Sequence, residues 1–267
     1  MTLKLLLTLA ATAAMTSSFA QKPLVLYYSE TGTTKTVAQE LQKQLNADIE
    51  SIEPVTPYSG NFQETIQRGQ REMQSGETPA LQPLKSKIAD YDVIFIGYPI
   101  WFGTYAMPIV TLVKNYDFEG KTIVPFCTFG SGGTKTSTEA LKKALPKAKI
   151  QTGYGVRTAR VAAAPKEIDR FLIENGYKKG RVEKRPDYSA QKPVTEEEKA
   201  IFDAACSSYQ FPLGTPSTVG KRNTSESVDY KFTVKSNGPN GANATSIIYV
   251  TVGKENGAKP EFTEVVR

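Results

Sequence analysis

The 267-residue sequence contains no histidine, which removes the side chain most often used as a general base or metal ligand. It has two cysteines, Cys127 and Cys206, which lie 79 positions apart. This spacing rules out a Cys-X-X-Cys redox motif. Cys127 ends an apolar strand pattern and Cys206 lies in a predicted helix of another domain, so two separate buried thiols are favoured over a disulfide. Histidine-dependent hydrolytic triads, zinc sites and dithiol redox chemistry are therefore excluded.

No segment after residue 20 is apolar enough to span a membrane. Residues 1–20 carry one positive charge, at Lys4, then an apolar stretch over residues 5–15 and the small residues Ser18 and Ala20. This pattern predicts a signal peptide over residues 1–20, cleaved after Ala20. It has no twin arginine, and no cysteine follows the cleavage point for lipid attachment. We expect a periplasmic or secreted mature protein.

The charge of the chain is unevenly distributed, with 13 basic and 5 acidic side chains in residues 140–187. Such a stretch can indicate an acidic partner or a membrane surface, but more often it is a solvated helix face. Interleaved aromatic residues of the kind found in nucleic-acid-binding proteins are sparse here. We therefore expect no nucleic-acid partner.

Residues 21–180 alternate between buried-strand and helix patterns. The strand patterns are "KPLVLYY" (22–28), "DIESIEPV" (48–55), "YDVIFIGYP" (91–99), "KTIVPFCTFG" (121–130) and "AKIQTGYGV" (148–156). Each is followed by a stretch with helical features, such as the apolar repeat of Val37, Leu41 and Leu45. This alternation predicts an α/β domain with a five-stranded parallel sheet and helices on both faces.

The pattern changes near residue 188. Residues 181–192 are predicted to be a linker and residues 193–267 a small α+β domain, consisting of a helix and an antiparallel sheet. Thr195 and Glu198 form the sequence signature of a capping box. Three runs with strand character follow, "VDYKFTVKS" (228–236), "SIIYVTVG" (246–253) and "PEFTEVVR" (260–267).

Three segments at the ends of predicted strands have unusual compositions. The first segment (29–34) has four hydroxyl side chains around Gly32 and leads into a helix, so its amides and hydroxyls can bind a phosphate. The second segment (97–104) contains Trp101, the only tryptophan, which can offer a flat face to a planar ligand. The third segment (128–133) is rich in glycine, so its backbone can approach the polar edge of a ring. A phosphate joined to a flat heterocycle describes flavin mononucleotide (FMN).

The stretch 25–41 resembles the flavodoxin signature at its restricted positions, and "IGYPIWFGTYAMPIVTLVKNYDFEGKTIVPFCTFGSGG" (96–133) is similar to the matching region of small flavodoxins. The resemblance covers roughly residues 23–177 and implies a flavodoxin-like fold with FMN as cofactor. It implies phosphate binding by Ser29, Thr31, Gly32, Thr33 and Thr34. It places one side of the isoalloxazine ring against Pro99, Ile100, Trp101, Phe102 and Gly103. It places the other side against Thr128, Phe129, Gly130, Ser131 and Gly132, with Phe129 and Tyr105 as candidates to stack opposite Trp101.

The sequence departs from soluble flavodoxins, which tend to be acidic, because this chain is basic, exported and carries a second domain. That domain weakly resembles cystatins, although the loop "GKRNTSE" (220–226) is unlike their protease-binding pattern. A role in docking or dimerisation is the favoured interpretation. The predicted function is electron transfer by an exported FMN-binding protein with an unidentified redox partner protein, without catalytic side chains or a metal. The alternatives are an FMN-dependent NAD(P)H quinone or nitro-compound reductase, and a flavodoxin-fold binding module without redox activity.

Overall fold

A computed structural model describes residues 22–237 and 243–266 of the chain. The predicted signal peptide lies outside the described residues. In the described ranges, no helix is both long enough and apolar enough to cross a membrane.

The first domain is built on a parallel sheet with helices on both faces, which confirms the predicted fold class. The strands are β1 (Leu24–Tyr27), β2 (Asp48–Ser51), β3 (Val93–Trp101), β4 (Thr104–Tyr105), β5 (Thr122–Phe129), β6 (Lys149–Ile150) and β7 (Tyr154–Arg157). The parallel order is β2-β1-β3-β5, and both β6 and β7 pair with the far side of β5. The short β4 pairs antiparallel with the end of β3.

Alternating side chains on the strands face two separate cores, as the twofold period of a strand requires. The helices are α1 (Thr33–Leu45), α2 (Phe62–Ser75), α3 (Met107–Asn115), α4 (Thr134–Ala144) and α5 (Ala164–Glu174). Leu24 and Leu26 of β1 pack with α3 and α4, whereas Val25 and Tyr27 pack with α1 and α5. Both faces of the sheet are therefore covered, which explains why its strands are continuous apolar runs.

The last strand, expected over residues 148–156, is divided into β6 and β7. Ile150 pairs with Ile123, and Tyr154 pairs with Phe126 three residues further along β5. Pro125 lies opposite the break, and proline has no N–H to contribute to a ladder. The break between β6 and β7 therefore follows from the proline in the neighbouring strand, β5.

The second domain consists of one helix, α6 (Glu196–Cys206), and an antiparallel sheet. Its strands are β8 (Lys192–Pro193), β9 (Thr215–Asn223), β10 (Ser227–Asn237), β11 (Asn243–Gly253) and β12 (Glu261–Val266), in the order β12-β11-β10-β9-β8. The predicted capping box is present, and Phe202 of α6 packs against Phe232 of β10 with ring centroids 5.2 Å apart. Strand β9 has no clear signal in the sequence, because Pro216, Gly220 and two basic residues interrupt its alternation.

The basic stretch over residues 140–187 forms several ion pairs, two of which reach the second domain. Arg160 contacts both Glu167 of α5 and Glu261 of β12 at 2.8 Å. Lys166 contacts Glu226 at 2.9 Å. Part of the positive charge is therefore matched within the chain. Both cysteines are free, as expected, but only Cys127 is fully buried.

Candidate functional site

The first segment joins β1 to α1 at the carboxyl edge of the sheet. Gly32 has a φ of 84° and is the N-cap residue of α1. Because glycine has no side chain, it does not cap the first amides of the helix. The amides of Thr33 and Thr34 have no intrahelical acceptor because no helical turn precedes them. The Ser29 hydroxyl accepts a hydrogen bond from the amide of Lys35 at 3.2 Å. No atom lies within 4 Å of the position of a Cβ on Gly32, so the space above it is open.

The hydroxyl groups of this segment have different surroundings. Those of Thr31 and Thr33 lie 3.4 Å apart at the surface, where a ligand can reach them. Thr34 is only 1% exposed, and its hydroxyl is 2.8 Å from that of the buried Thr128. Thr34 can therefore offer a phosphate its amide, whereas its side chain connects the first segment to the third.

The first segment also contains an acidic side chain, Glu30, which has no place among the predicted site residues. Glu30 accepts a short hydrogen bond from the Tyr28 hydroxyl. Burial, and then this bond, raise the pKa of Tyr28 above its usual value, so the phenol stays protonated and acts as the donor. The pairing fixes the carboxylate against Tyr28, at the end of β1.

The second segment is mostly the end of β3 and a tight hairpin. Gly97 and Pro99 lie within the strand, and Trp101 pairs with Thr104 across the turn. The turn residues Phe102 and Gly103 have φ values of 51° and 82°. Positive φ at both central residues is the geometry of a two-residue hairpin turn, but it is uncommon for phenylalanine. The turn leaves Phe102 41% exposed at the edge of the sheet.

Trp101 is half-buried in a group of aromatic rings. It meets the Tyr28 ring at 5.8 Å and 90° and the Tyr58 ring at 5.0 Å and 79°, both edge-on. The Arg68 guanidinium lies over Tyr58 at 3.9 Å. A Cβ on Gly69 of α2 would lie 3.1 Å from the Phe102 ring and 3.5 Å from Trp101, so the glycine lets the Phe102 ring lie close to this helix. The indole ring is therefore held by Tyr28, which follows β1, and by Tyr58, which precedes α2.

The third segment begins at the end of β5, beside the other two. Thr128 and Phe129 are 3% and 4% exposed, so Phe129 can meet a ligand only through its backbone. Tyr105, the other candidate to stack opposite Trp101, is 8% exposed and also belongs to the core. Neither ring presents an open face in this structure.

Side chains near the third segment do not supply redox chemistry of their own. Burial raises the pKa of the Cys127 thiol to about 12, and the thiol lies 3.5 Å from the Thr134 hydroxyl. Burial also raises the pKa of Cys206 to about 12. Both thiols are therefore neutral at physiological pH and poor nucleophiles. Any redox activity here would need a bound cofactor.

The C-terminal strand lies directly on the third segment. The Val265 amide donates to the Ser131 carbonyl at 2.8 Å. The Val265 carbonyl oxygen would be 2.2 Å from a Cβ on Gly132, so this contact requires a glycine. Arg157, at the end of β7, donates to the Gly130 carbonyl at 2.8 Å. The contact of β12 with this segment has no signal in the sequence, since it joins residues more than a hundred positions apart.

The donor groups at this edge suit a phosphate joined to a planar ring. The first segment offers helix N-terminal amides, exposed hydroxyls and open space above Gly32. Trp101 lies at the end of β3, the neighbouring strand, and the third segment follows the next one. These features define a doubly wound α/β domain. In such domains ligands generally bind at the carboxyl ends of the strands where the strand order reverses, and in this sheet that edge carries the ends of β1, β3 and β5.

The family model for flavodoxin matches residues 22–167, which is more than half of the chain. The chain therefore belongs to the flavodoxin family. No functionally curated protein matches it significantly.

Solved flavoprotein structures resemble little more than half of this chain. A candidate flavoprotein from Bacteroides uniformis ATCC 8492 is 30% identical, covers 55% of this chain and 97% of its own, and superposes with a TM-score of 0.50. Another from Bacteroides eggerthii DSM 20697 is 33% identical, with coverages of 55% and 98% and a TM-score of 0.48. A flavoprotein from Lactobacillus acidophilus NCFM, solved in complex with FMN, is 25% identical, with coverages of 57% and 98% and a TM-score of 0.46.

Proposed function

We propose that this protein binds FMN at the carboxyl ends of β1, β3 and β5 and functions in electron transfer. The observation that carries the proposal is the convergence of the three segments, two of which are joined by the buried Thr34–Thr128 hydrogen bond. The amides of Thr33 and Thr34 bind the phosphate, Trp101 borders the ring on one side, and the backbone of the third segment borders it on the other. FMN supplies the redox chemistry, whereas the protein supplies binding, orientation and the local electrostatics.

A pair of glycine variants tests the phosphate site. Gly32 and Gly60 have φ values of 84° and 75°, and neither has an atom within 4 Å of a Cβ position. Alanine therefore introduces similar backbone strain at each, of about 1 kcal/mol. We expect Gly32→Ala to weaken FMN binding much more than riboflavin binding, because it disturbs the phosphate contacts. Gly60→Ala should change neither affinity.

Titration of flavin fluorescence with the chain from residue 21 onward measures both affinities. Equal binding of FMN and riboflavin by the unaltered protein would contradict the assigned phosphate site. A chain that binds neither flavin would favour the alternative of a binding module without redox activity.

Measuring the turnover of NAD(P)H distinguishes an electron carrier from an enzyme that reduces a small substrate. Within the described residues, the groups at the three segments are amides, hydroxyls, aromatic rings and the Glu30 carboxylate, which Tyr28 holds. We propose a carrier rather than a reductase; both would use the same FMN site, so turnover is the property that separates them. Sustained NAD(P)H oxidation in the presence of a quinone or nitro compound would instead support the reductase.

We also propose export to the periplasm or secretion, on the basis of residues 1–20. A chain exported without a twin-arginine signal crosses the membrane unfolded, so it must capture FMN afterwards. FMN added to protein isolated from the periplasm should then raise its melting temperature, with about 2.7 kcal/mol of stabilisation at a hundredfold excess over Kd. An N-terminus other than Gln21, or retention in the cytoplasm, would contradict the proposal.

A cystatin-like fold remains our proposal for the second domain, supported by one helix packed on an antiparallel sheet. Protease inhibition is not part of the proposal. The turn after β9 contacts the first domain through the ion pair of Glu226 with Lys166, and it contacts the linker through the Ser225 amide, which donates to Glu183 at 2.9 Å. Failure of the protein to inhibit cysteine proteases is the expected result.

A further inference from the structure

Arg157 is a buried charge at the contact between the two domains. It is 8% exposed, and in the described part of the chain no carboxylate lies within ion-pair distance of it. Its guanidinium donates to the carbonyls of Gly130 and Phe262, at 2.8 and 3.0 Å, and lies 4.1 Å from the centre of the Phe262 ring. A buried charge is costly unless its donors are satisfied. The third segment and β12 each accept a hydrogen bond from one of its nitrogens, so separating the two would leave these buried N–H groups without their partners.

Strand β12 also contacts the third segment through its backbone. β12 is an edge strand, paired on one side with β11. On its other side, the Val265 amide donates to the Ser131 carbonyl. The close approach of the Val265 carbonyl to Gly132 means that any larger residue there would push the strand away. The conformation of the third segment therefore depends on the second domain.

Glu264 adds a polar contact at the preceding position of the strand. The half-buried Glu264 lines one cavity with Thr134 at the N-terminus of α4, and its Cγ would lie 3.2 Å from a Cβ on Gly132. Burial raises the pKa of its carboxyl group, and the neighbouring Thr134 and Gly133 partly offset that rise. Gly133, the N-cap of α4, provides no side-chain cap. A carboxyl group from the second domain thus lies next to a helix N-terminus that has no side-chain cap of its own.

We propose that strand β12 completes the flavin site, with Glu264 and Arg157 as positioning residues that hold the third segment in its FMN-binding conformation. The inference rests on the proposed function, since it assigns the second domain a role in binding FMN. Because coupling between two equilibria is reciprocal, FMN must in turn stabilise the contact of β12 with the first domain.

Hydrogen exchange of the full-length mature chain without flavin tests the contact by itself. We expect Glu264→Ala to accelerate exchange in residues 128–134 and 261–266, and Glu264→Gln, which keeps an acceptor oxygen, to restore most of the protection. Gly132→Ala should accelerate exchange in the same residues through its clash with Val265. Gly130→Ala is the matched variant for this measurement, because no atom lies within 4 Å of its Cβ position.

FMN titration tests the coupling. Glu264→Ala should weaken FMN binding about tenfold, the scale of one lost hydrogen bond to a charged group. It should also change the visible circular dichroism of the FMN that still binds, and Glu264→Gln should recover both. Glu261→Gln is the control: Glu261 lies on the same strand and contacts the first domain, but through Arg160. FMN should slow exchange in residues 261–266 of the unaltered protein.

The possible results separate the two claims. Unchanged exchange in both Glu264→Ala and Gly132→Ala would overturn the contact. Faster exchange with unchanged FMN affinity and dichroism would overturn the coupling, as would an equal effect of Glu261→Gln. Absence of FMN binding by the unaltered protein would overturn the proposed function and the coupling with it, whereas the exchange measurements would still decide whether β12 holds the third segment.

Discussion

Removal of one hydroxyl from the Thr34–Thr128 pair should destabilise the first domain more than removal of both. The two hydroxyls are 2.8 Å apart, and their residues are 1% and 3% exposed. Thr34→Val preserves the side-chain shape but leaves the Thr128 hydroxyl buried without its partner. An unsatisfied buried polar group costs about 1–3 kcal/mol, whereas replacing both partners by apolar groups of the same shape is nearly neutral.

A double-mutant cycle measures this coupling. We expect Thr34→Val and Thr128→Val each to lower the free energy of unfolding by about 1–3 kcal/mol, and the double variant to lose less than either single variant. Urea denaturation without FMN, followed by Trp101 fluorescence, reports on the first domain, since no other tryptophan is present. A double variant that loses as much stability as the single variants, or more, would refute the reasoning.

The same variants show how the hydrogen bond between Thr34 and Thr128 affects the affinity for FMN. If the hydroxyls act only by joining the first segment to the third, both single variants should weaken FMN binding to a similar extent. A loss confined to Thr34→Val, and larger for FMN than for riboflavin, would mean that the Thr34 hydroxyl contacts the phosphate itself.

Three other predictions concern binding, pH and packing. FMN should quench Trp101 emission, and Trp101→Ala should weaken FMN binding by about 1–3 kcal/mol, the scale of aromatic stacking on a base. Trp101 emission that does not change when FMN is added would contradict this. Burial alone would raise the pKa of Asp229, but hydrogen bonds led by that from Arg222 outweigh it and lower the pKa. Asp229 therefore stabilises the fold above its unfolded pKa of about 3.9, and the stability is lost as pH falls through the folded pKa. Urea denaturation should show Asp229→Asn to be less stable than the unaltered protein at pH 7, with the difference shrinking towards pH 3. Gly97→Ala should lower the free energy of unfolding in urea by at least about 2 kcal/mol, because its Cβ would lie 2.0 Å from the Phe126 ring. An unchanged midpoint of urea denaturation would contradict this.

The class of the first domain, and the sheet edge at which we propose its ligand site, can both be predicted from the sequence. Continuous apolar strands followed by helices dictate a covered parallel sheet, and the carboxyl ends of such strands share one edge. The unusual residues at the ends of β1, β3 and β5 can therefore be grouped from the sequence alone. These features are local in sequence, because each segment shows its own composition.

Pairing and contacts between distant residues were decided only by the tertiary structure. Whether Thr34 faces a ligand or Thr128, and whether Phe129 stacks or is buried, depends on neighbours that the local sequence does not contain. β9 became a strand because β10 pairs with it along its length. The contact of β12 with the third segment joins Ser131 to Val265, and no local pattern records a hydrogen bond between backbone groups so far apart in the chain.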